Sequence, residues 1–539
     1  MDIEVLLKQK IAQSLDKIGL AYKDTDIIIS ICKDKAHGDY SSNVAMRFAS
    51  QLKKNPREIA NTIIENIDKE GLDKIEVAGP GFINFFVSNN SLTGVIKKIL
   101  NEGSNYGTGE NKNCKVDVEF VSANPTGYLH LGHARVAAIG DSISRILTKD
   151  GYEVTREYYI NDAGNQINNL ARSVYGRYKE LFGETMVFDD DMYRGHEIIE
   201  VAKIIKDEKG DSLLHDDHAL DYCKEKGMKI LLNQIDEDLK YFGVTFDVYS
   251  SEVKVRSNHA VENILDKMKD HIYNDGDAKV LKTTDYLDDK DRVIVKSNGD
   301  YTYFLPDIVY HLNKLSRGYD KLIDLFGADH HGYINRMKSA LMMNGYDKDI
   351  LDIELIQMVR IFKDGQEVKL SKRTGQTITL RELCEEAGVD GLRYFMAARS
   401  ADAHLDFDIN LAREQSSSNP VYYAQYAHAR LVSVLKNESE FGINEDASLL
   451  KEDAEMSLLK LLIEYPNAIH SAADAKQPYL LVNFITKLAA AIHSFYTQCR
   501  IIDAENKDMT QCRLALAKAS KIVMKDALGL IGVSAPESM

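Results

Sequence analysis

Ser122-Ala123-Asn124-Pro125-Thr126-Gly127-Tyr128-Leu129-His130-Leu131-Gly132-His133 follows an apolar-alternating run, Val116–Val121, and precedes a helical pattern at Val136, Ile139, Ile143, Ile146 and Leu147. Two histidines thus flank a glycine where a strand hands over to a helix. Such a turn suits a nucleoside triphosphate. Glycine lets the backbone approach, the helix N-terminus presents unpaired N–H groups, and the imidazoles touch phosphate oxygens or stack on a base. His130, Gly132 and His133 are predicted to line that site. The H-x-G-H pattern alone is common, and its strand–turn–helix setting makes it specific.

Working outward, strand-like runs alternate with helical ones from Val116 to about Arg399: Val116–Val121, Glu153–Ile160, Arg292–Val295, Lys321–Phe326 and Leu355–Phe362. That alternation predicts an open, mostly parallel sheet with helices on both faces over residues 114–400. Charged helical segments at about 165–285 read as an insertion. Upstream, residues 1–113 read as a separate α/β unit, with helices at Val5–Ile18, Asn43–Leu52 and Pro56–Ile67 and strands at Ile27–Ile31 and Gly81–Val87. Pro56 suits a first helical turn, and the polar stretch Gly103–Lys115 marks a boundary. Downstream, strand signals nearly vanish. Asn419-Pro420 is a helix start, and residues 401–539 are predicted to form an all-α bundle.

A chain of 539 residues exceeds one core, and its composition, 44% hydrophobic and 28% charged, is that of a globular protein. No apolar run is long enough to cross a bilayer, the acidic start Met1-Asp2-Ile3-Glu4 is no secretory signal, and the protein is expected to be cytoplasmic. Six scattered cysteines without a C-x-x-C pair fit reduced thiols and argue against a zinc ribbon. The net charge of −16 requires any RNA contact to use local basic patches. Residues 1–113 supply about as many basic as acidic side chains.

A second cationic element is Lys369-Leu370-Ser371-Lys372-Arg373-Thr374-Gly375. Cations and a hydroxyl on a glycine-bounded loop neutralise charge developing on a triphosphate, although a lysine-rich surface loop by itself is usually only solvated. The two elements, in this order on an alternating fold, resemble the signatures of class I aminoacyl-tRNA synthetases. Further segments narrow the resemblance to arginyl-tRNA synthetases. They are Asn419-Pro420-Val421-Tyr422-Tyr423-Ala424-Gln425-Tyr426-Ala427-His428-Ala429-Arg430, Asp390-Gly391-Leu392-Arg393 (with Gly391 in place of the usual alanine), Leu405-Asp406-Phe407-Asp408, His37-Gly38-Asp39-Tyr40 with Asn43, and Gly532–Glu537. The resemblance runs from end to end. It implies a Rossmann-like catalytic domain, an N-terminal tRNA-binding domain and a C-terminal anticodon-binding bundle.

The resemblance also implies site residues. A guanidinium is planar, permanently charged and rich in donors, so its selector must offer carboxylate oxygens in fixed geometry. By the alternation of a strand, Asp117 and Glu119 lie on the face opposite Val118 and Phe120. In the family, positions matching Glu119, Asn124, Tyr303 and Asp307 surround bound arginine, with Asp307 and Tyr303 expected to read the guanidinium. From Tyr158–Gln166, Asp162 and Gln166 are added. Taken alone, Glu119 also reads as an edge-strand carboxylate, Asp307 as a helix cap and Asp162 as a turn cap. Gly327-Ala328-Asp329-His330-His331-Gly332 follows a predicted strand. Gly327 and Asp329 are expected at the ATP ribose and Ser371 at its phosphates, with no metal held by the protein and no zinc.

For RNA, the resemblance implies Phe82 and Asn84 at the tRNA corner, and Tyr426, Arg430 and Met539 at the anticodon loop. Tyr426 and Arg430 are i,i+4 on one helix and suit unstacked bases. The simpler reading packs Tyr426 into a core and pairs Arg430 with a surface carboxylate.

The implied function is an arginine–tRNA ligase. The arginine carboxylate attacks the ATP α-phosphate, magnesium pyrophosphate leaves, and a terminal tRNA ribose hydroxyl, the 2′-OH by class I analogy, takes the arginyl group. His130, His133, Lys369 and Lys372 would stabilise charge, with Mg²⁺ on the phosphates. The expected partners are tRNA(Arg), L-arginine and ATP. The expected state is a monomer whose activation step needs bound tRNA, with the Lys369–Gly375 loop responding to it. Two alternatives stay open at this point: a small-substrate nucleotidyltransferase of the same superfamily and a non-catalytic tRNA-binding paralogue.

Overall fold

The computed structural model describes residues 3–32, 37–257, 259–368 and 378–539. Five parallel strands form the central sheet, in the order Leu351–Ile356, Lys321–Gly327, Lys115–Glu119, Glu153–Ile160 and Val248–Ser251. The chain enters on the middle strand, builds outward to Val248–Ser251, and returns on the other side at Lys321–Gly327. The strand order therefore reverses between Lys115–Glu119 and Lys321–Gly327, and the crevice beyond their carboxyl ends is where such sheets bind ligands.

Helix Leu131–Lys149 packs against the middle strand. Gly140 permits the approach, because a Cβ there would lie 2.3 Å from the Phe120 ring. No larger residue fits without displacing the helix from the sheet.

The N-terminal unit is a four-stranded antiparallel sheet, in the order Ile29–Ile31, Tyr40–Ser42, Phe82–Val87 and Leu72–Ala78, backed by helices Ile3–Lys17, Val44–Leu52 and Pro56–Asn66. The Asn55 side chain accepts from Arg57 N at 2.9 Å, so Asn55 caps and Pro56 opens the third of these helices. Tyr40–Ser42 and Leu72–Ala78 were not predicted. The first is only three residues long, and the second is exposed or half-buried along its length, which leaves little apolar signal.

The C-terminal bundle comprises Pro420–Leu435, Asp453–Ala475, Pro478–Gln498 and Lys507–Leu530. Its core is continuous with that of the central sheet. Asp390-Gly391-Leu392-Arg393 makes the joint. The buried Arg393 guanidinium pairs with Asp141, and donates to Phe242 O and Ile531 O, both at 3.1 Å. Asp390 accepts from Ser534 N at 2.9 Å and from Gln425 Nε2 at 2.7 Å. Four segments distant in sequence meet on these two side chains. Arg135, also buried, donates to the carbonyls of Gln357 (2.8 Å), Ala403 (2.8 Å) and Ser400 (2.9 Å), tying the same helix to the start of the C-terminal region.

Three expectations are corrected. Residues 165–285 are not one helical insertion: helices Asn165–Glu180, His196–Lys209 and Ala219–Tyr241 intervene, but Val248–Ser251 returns as an edge strand of the central sheet. Arg292–Val295 belongs to a separate three-stranded antiparallel sheet with Ala278–Leu281 and Ile272–Asp275. Leu355–Phe362 is split into Leu351–Ile356 and Val359–Lys363, and the latter pairs with Leu405–Asp408, a strand lying beyond the expected start of the all-α region. A short apolar run does not reveal its partner, so periodicity could not separate these cases.

Candidate active site

The turn after Lys115–Glu119 is strained. Val121 and Ser122 have φ of 69° and 39°, in the left-handed region that β-branched residues avoid. Ser122 N donates to Phe120 O at 2.9 Å. The Ser122 hydroxyl then donates to Glu119 Oε1 at 2.9 Å and accepts from Tyr159 N at 3.0 Å. Tyr158 secures the next residue by donating to Ala123 O at 2.7 Å. These bonds hold the tight reversal at the carboxyl end of the middle strand.

His130 caps helix Leu131–Lys149. Its Nδ1 accepts from Gly132 N at 3.2 Å, while His133 Nδ1 accepts from His130 N, also at 3.2 Å. The rings lie 4.0 Å apart, centroid to centroid. Because both Nδ1 atoms accept, each neutral ring carries its proton on Nε2, a donor suited to a phosphate oxygen. Gly132 is exposed, and a Cβ there would press on the His130 ring at 3.2 Å.

Beneath this turn the sheet carries a row of acids. Asp324 is registered against Glu119, and Glu119 against Glu157. Like charges directly opposite one another repel. Helix Phe304–Ser316 supplies the compensation. Lys314 Nζ lies 2.6 Å from Glu119 Oε2, 2.9 Å from Asp324 Oδ1 and 3.2 Å from Asp117 Oδ1. His311 bonds Asp324 at 2.7 Å, and Arg317 bonds Glu157 at 2.6 Å. Burial alone would discharge Lys314, but Asp324, Glu119, Asp117 and Glu157 outweigh it and hold the ammonium well above its ordinary range. Burial, reinforced by Glu157 and Asp324, pushes Asp117 up to about 8 against the pull of Lys314.

Asp307 stands in the first turn of the same helix and accepts from the Tyr333 hydroxyl at 2.9 Å. It retains some accessible surface, yet burial of the carboxyl pushes it up to about 6, against the opposing Tyr333 bond and His311. Tyr303, just before the helix, is 80% exposed. Asn124 donates to Gln166 Oε1 and accepts from Asn161 Nδ2 at 2.7 Å, so two expected site residues meet directly and Asn161, which was not expected, joins them. Asp162 instead accepts from the Ser251 hydroxyl at 2.5 Å and from Val253 N at 3.0 Å, the turn-cap arrangement. Gly327 ends its strand and leads into a short 3₁₀ turn, Ala328–Tyr333, whose backbone places Asp329 just beyond the carboxyl end of that strand. Lys369, Ser371 and Lys372 lie outside the described residues.

Of the residues expected at RNA, Phe82 is 38% exposed, whereas Asn84 is buried, with Nδ2 unpartnered among the described residues. Arg430 makes no ion pair among the described residues. Its guanidinium sits 4.5 Å from the Tyr426 ring and 4.9 Å from the Tyr496 ring, and bonds His493 at 3.3 Å. Met539 is 50% exposed. Sequence reasoning missed Lys314, Tyr333, Asn161 and Ser122. Ser122 opens the stretch that leads to His130, Asn161 adjoins the expected Asp162 and Tyr333 follows Gly332, whereas Lys314 carried no local signal.

Residues 6–87 match the arginyl tRNA synthetase N terminal domain, residues 95–432 the class I (R) tRNA synthetase catalytic domain, and residues 424–539 the DALR anticodon binding domain. An arginine–tRNA ligase of Bacillus licheniformis is 47% identical, covering 99% of this chain and 98% of its own. The chain belongs to the arginyl-tRNA synthetase family. A crystal structure described as a candidate arginyl-tRNA synthetase of Campylobacter jejuni superimposes with a TM-score of 0.77 at 33% identity, covering 84% of this chain and 100% of its own. The arginyl-tRNA synthetase of Thermus thermophilus shares the fold, with a TM-score of 0.77 at 19% identity over 99% of this chain and 100% of its own. The arginyl-tRNA synthetase signatures coincide with the strained turn, the two-histidine cap and the Asp390–Arg393 joint.

Proposed function

We propose that this chain is an arginine–tRNA ligase, which forms arginyl-adenylate from arginine and ATP and then transfers arginine to the terminal ribose of tRNA(Arg), releasing AMP and pyrophosphate. The observation that carries this reading is identity to arginine–tRNA ligases along the whole chain, 47% over 547 residues. The intact two-histidine turn at the switch point of the sheet argues against a degenerate paralogue. The N-terminal unit and C-terminal bundle argue against a small-substrate nucleotidyltransferase, which needs neither.

His130 and His133 take the triphosphate from one side, and Lys369, Ser371 and Lys372 from the other. Gly327 and Asp329 hold the ATP ribose. Arginine lies over the acid row, its guanidinium read by Asp307 and Tyr303, its amino-acid end held by Asn124, Glu119 and Gln166. Asp162 acts through the Ser251 turn. Magnesium arrives on the ATP phosphates and neutralises their charge. The nucleotide supplies most of the oxygen ligands of that magnesium ion. No side chain acts as a covalent nucleophile, and rate enhancement comes from positioning and charge stabilisation.

Residues 1–113 and 401–539 bind tRNA on either side of the catalytic residues 114–400, through Phe82, with the buried Asn84 behind it rather than in contact with RNA, and through Tyr426, Arg430 and Met539. The enzyme works as a cytoplasmic monomer. No helix among the described residues is long and apolar enough to cross a membrane. The direct test is ATP–pyrophosphate exchange with arginine, with and without tRNA(Arg), and with lysine as competitor. Exchange requiring arginine and tRNA establishes the ligase and an RNA-gated activation step. Exchange without tRNA keeps the ligase and removes the gate. No exchange from folded protein under either condition overturns the proposal.

A further inference from the structure

Helix Leu131–Lys149 has its two histidines at one end and a second concave site at the other. The helix is 19 residues long, so its ends are about 28 Å apart. Arg145 and Lys149 in its last turns, Arg156 on the adjoining strand, and Lys521, Lys525 and Asp526 on helix Lys507–Leu530 surround a cavity of about 770 Å³. In a chain of net charge −16, this cavity gathers five cations and one carboxylate.

The compensation for those cations is incomplete. Asp526 is already engaged by Lys149 Nζ at 2.8 Å and by the Tyr465 hydroxyl at 2.7 Å. Arg145 and Arg156 share one buried carboxylate, Asp141, at 2.7 and 3.6 Å, and Arg393 takes part of the same group. Lys521 and Lys525, one helical turn apart, make no ion pair or hydrogen bond among the described residues. Like charges at that spacing repel, and a concave wall of one sign concentrates counter-ions.

The site is also pre-shaped. Arg145 is steadied by the Gly243 and Gly529 carbonyls at 3.2 and 3.4 Å, and Lys149 by the Ser104 carbonyl at 2.5 Å. Ile522 and Leu530 add an apolar wall, and the volume is that of a small-molecule site rather than a single-ion niche.

We propose that this cavity binds an anion carrying two or more phosphate groups, at a site separate from the reaction centre. A free nucleoside polyphosphate and the phosphodiester backbone of an RNA share this chemistry. The inference does not rest on the proposed aminoacylation, because its readout is equilibrium binding.

The test is calorimetric titration of the full chain with inorganic tripolyphosphate, and separately with tRNA, at about 0.1 M salt. Wild type is compared with the Lys521→Ala/Lys525→Ala double variant and with His133→Ala. Removing a cation from a charge-assisted contact costs about tenfold in affinity. The double variant is therefore expected to bind tripolyphosphate at least tenfold more weakly, while His133→Ala retains a site of wild-type strength. An accompanying drop in tRNA affinity identifies the phosphates as those of RNA, and unchanged tRNA affinity identifies a free polyphosphate. Equal tripolyphosphate affinity in wild type and double variant, or no binding to wild type, overturns the site. Circular dichroism and a thermal melt report whether the double variant is folded.

Discussion

Lys314 and Glu119 form a buried ion pair, Nζ to Oε2 at 2.6 Å, that joins a helix to the central strand at the point where the strand order reverses. Asp117 and Asp324 crowd the same ammonium, and Ser122 takes the other Glu119 oxygen. The strained loop that leads to His130 is thus anchored through Glu119 to a cation on the helix that begins with Asp307's turn. Replacing Lys314 with methionine keeps the bulk and leaves the acids uncompensated. Loss of one partner from a buried charge cluster costs about 3–5 kcal/mol. A thermal melt should show a clearly lowered midpoint, and a wild-type midpoint would remove Lys314 from this structural role.

Asp117 gives the cluster a distinctive pH response. Its folded pKa is pushed up to about 8, above the ordinary carboxylate value, so the native state binds more protons than the unfolded chain between about pH 4 and 8. Stability through this group therefore falls as pH rises across that window. Asp117→Asn imitates the protonated form and should flatten the decline. Melting midpoints of both proteins at several pH values check this, and parallel curves would contradict it.

Asp307 should make arginine binding pH-dependent. The carboxylate form reads a guanidinium, and in the free enzyme it titrates at about 6. Below that value arginine must displace a proton, so KM for arginine should rise about tenfold per pH unit and level off above it. Asp307→Ala and Tyr303→Ala should both weaken arginine binding, the first more strongly. Near-normal affinity in both variants would sink the assignment.

His133→Ala and Lys372→Ala should slow adenylate formation while arginine binding survives. Loss of one charge-stabilising donor costs about a hundredfold to a thousandfold in rate. Single-turnover activation and equilibrium arginine binding, measured on the same preparations, separate the two effects. Unchanged turnover in either variant refutes its part in the chemistry.

Gly532 should tolerate no side chain. Its φ is +66°, and a Cβ would lie 2.1 Å from the Arg393 guanidinium. Gly532→Ala must displace a buried ion pair that holds the C-terminal segment to Asp141, at a cost on the order of 3 kcal/mol. Lowered stability with a loosened C-terminus, seen by limited proteolysis, is the expected outcome. A wild-type melt would show that the joint can shift.

Local sequence determined the elements whose signals are local. Helix Pro420–Leu435 announces itself through Asn419 and Pro420, and helix Leu131–Lys149 through its apolar period and the histidine–glycine turn before it. The alternation in Val116–Val121 correctly set Asp117 and Glu119 apart from Val118 and Phe120, and the signature motifs identified the family. Tertiary structure decided what those groups meet. Lys314 reads as an ordinary helix lysine until three sheet carboxylates converge on it, and Asp162 as a ligand candidate until Ser251 and Val253 occupy both its oxygens. Val248–Ser251 is too short to declare a partner, and only pairing with Glu153–Ile160 makes it part of the central sheet. The physical reason is common to all three. Backbone propensity and side-chain periodicity are set within a few residues, whereas charge compensation and strand pairing depend on groups brought together from far along the chain.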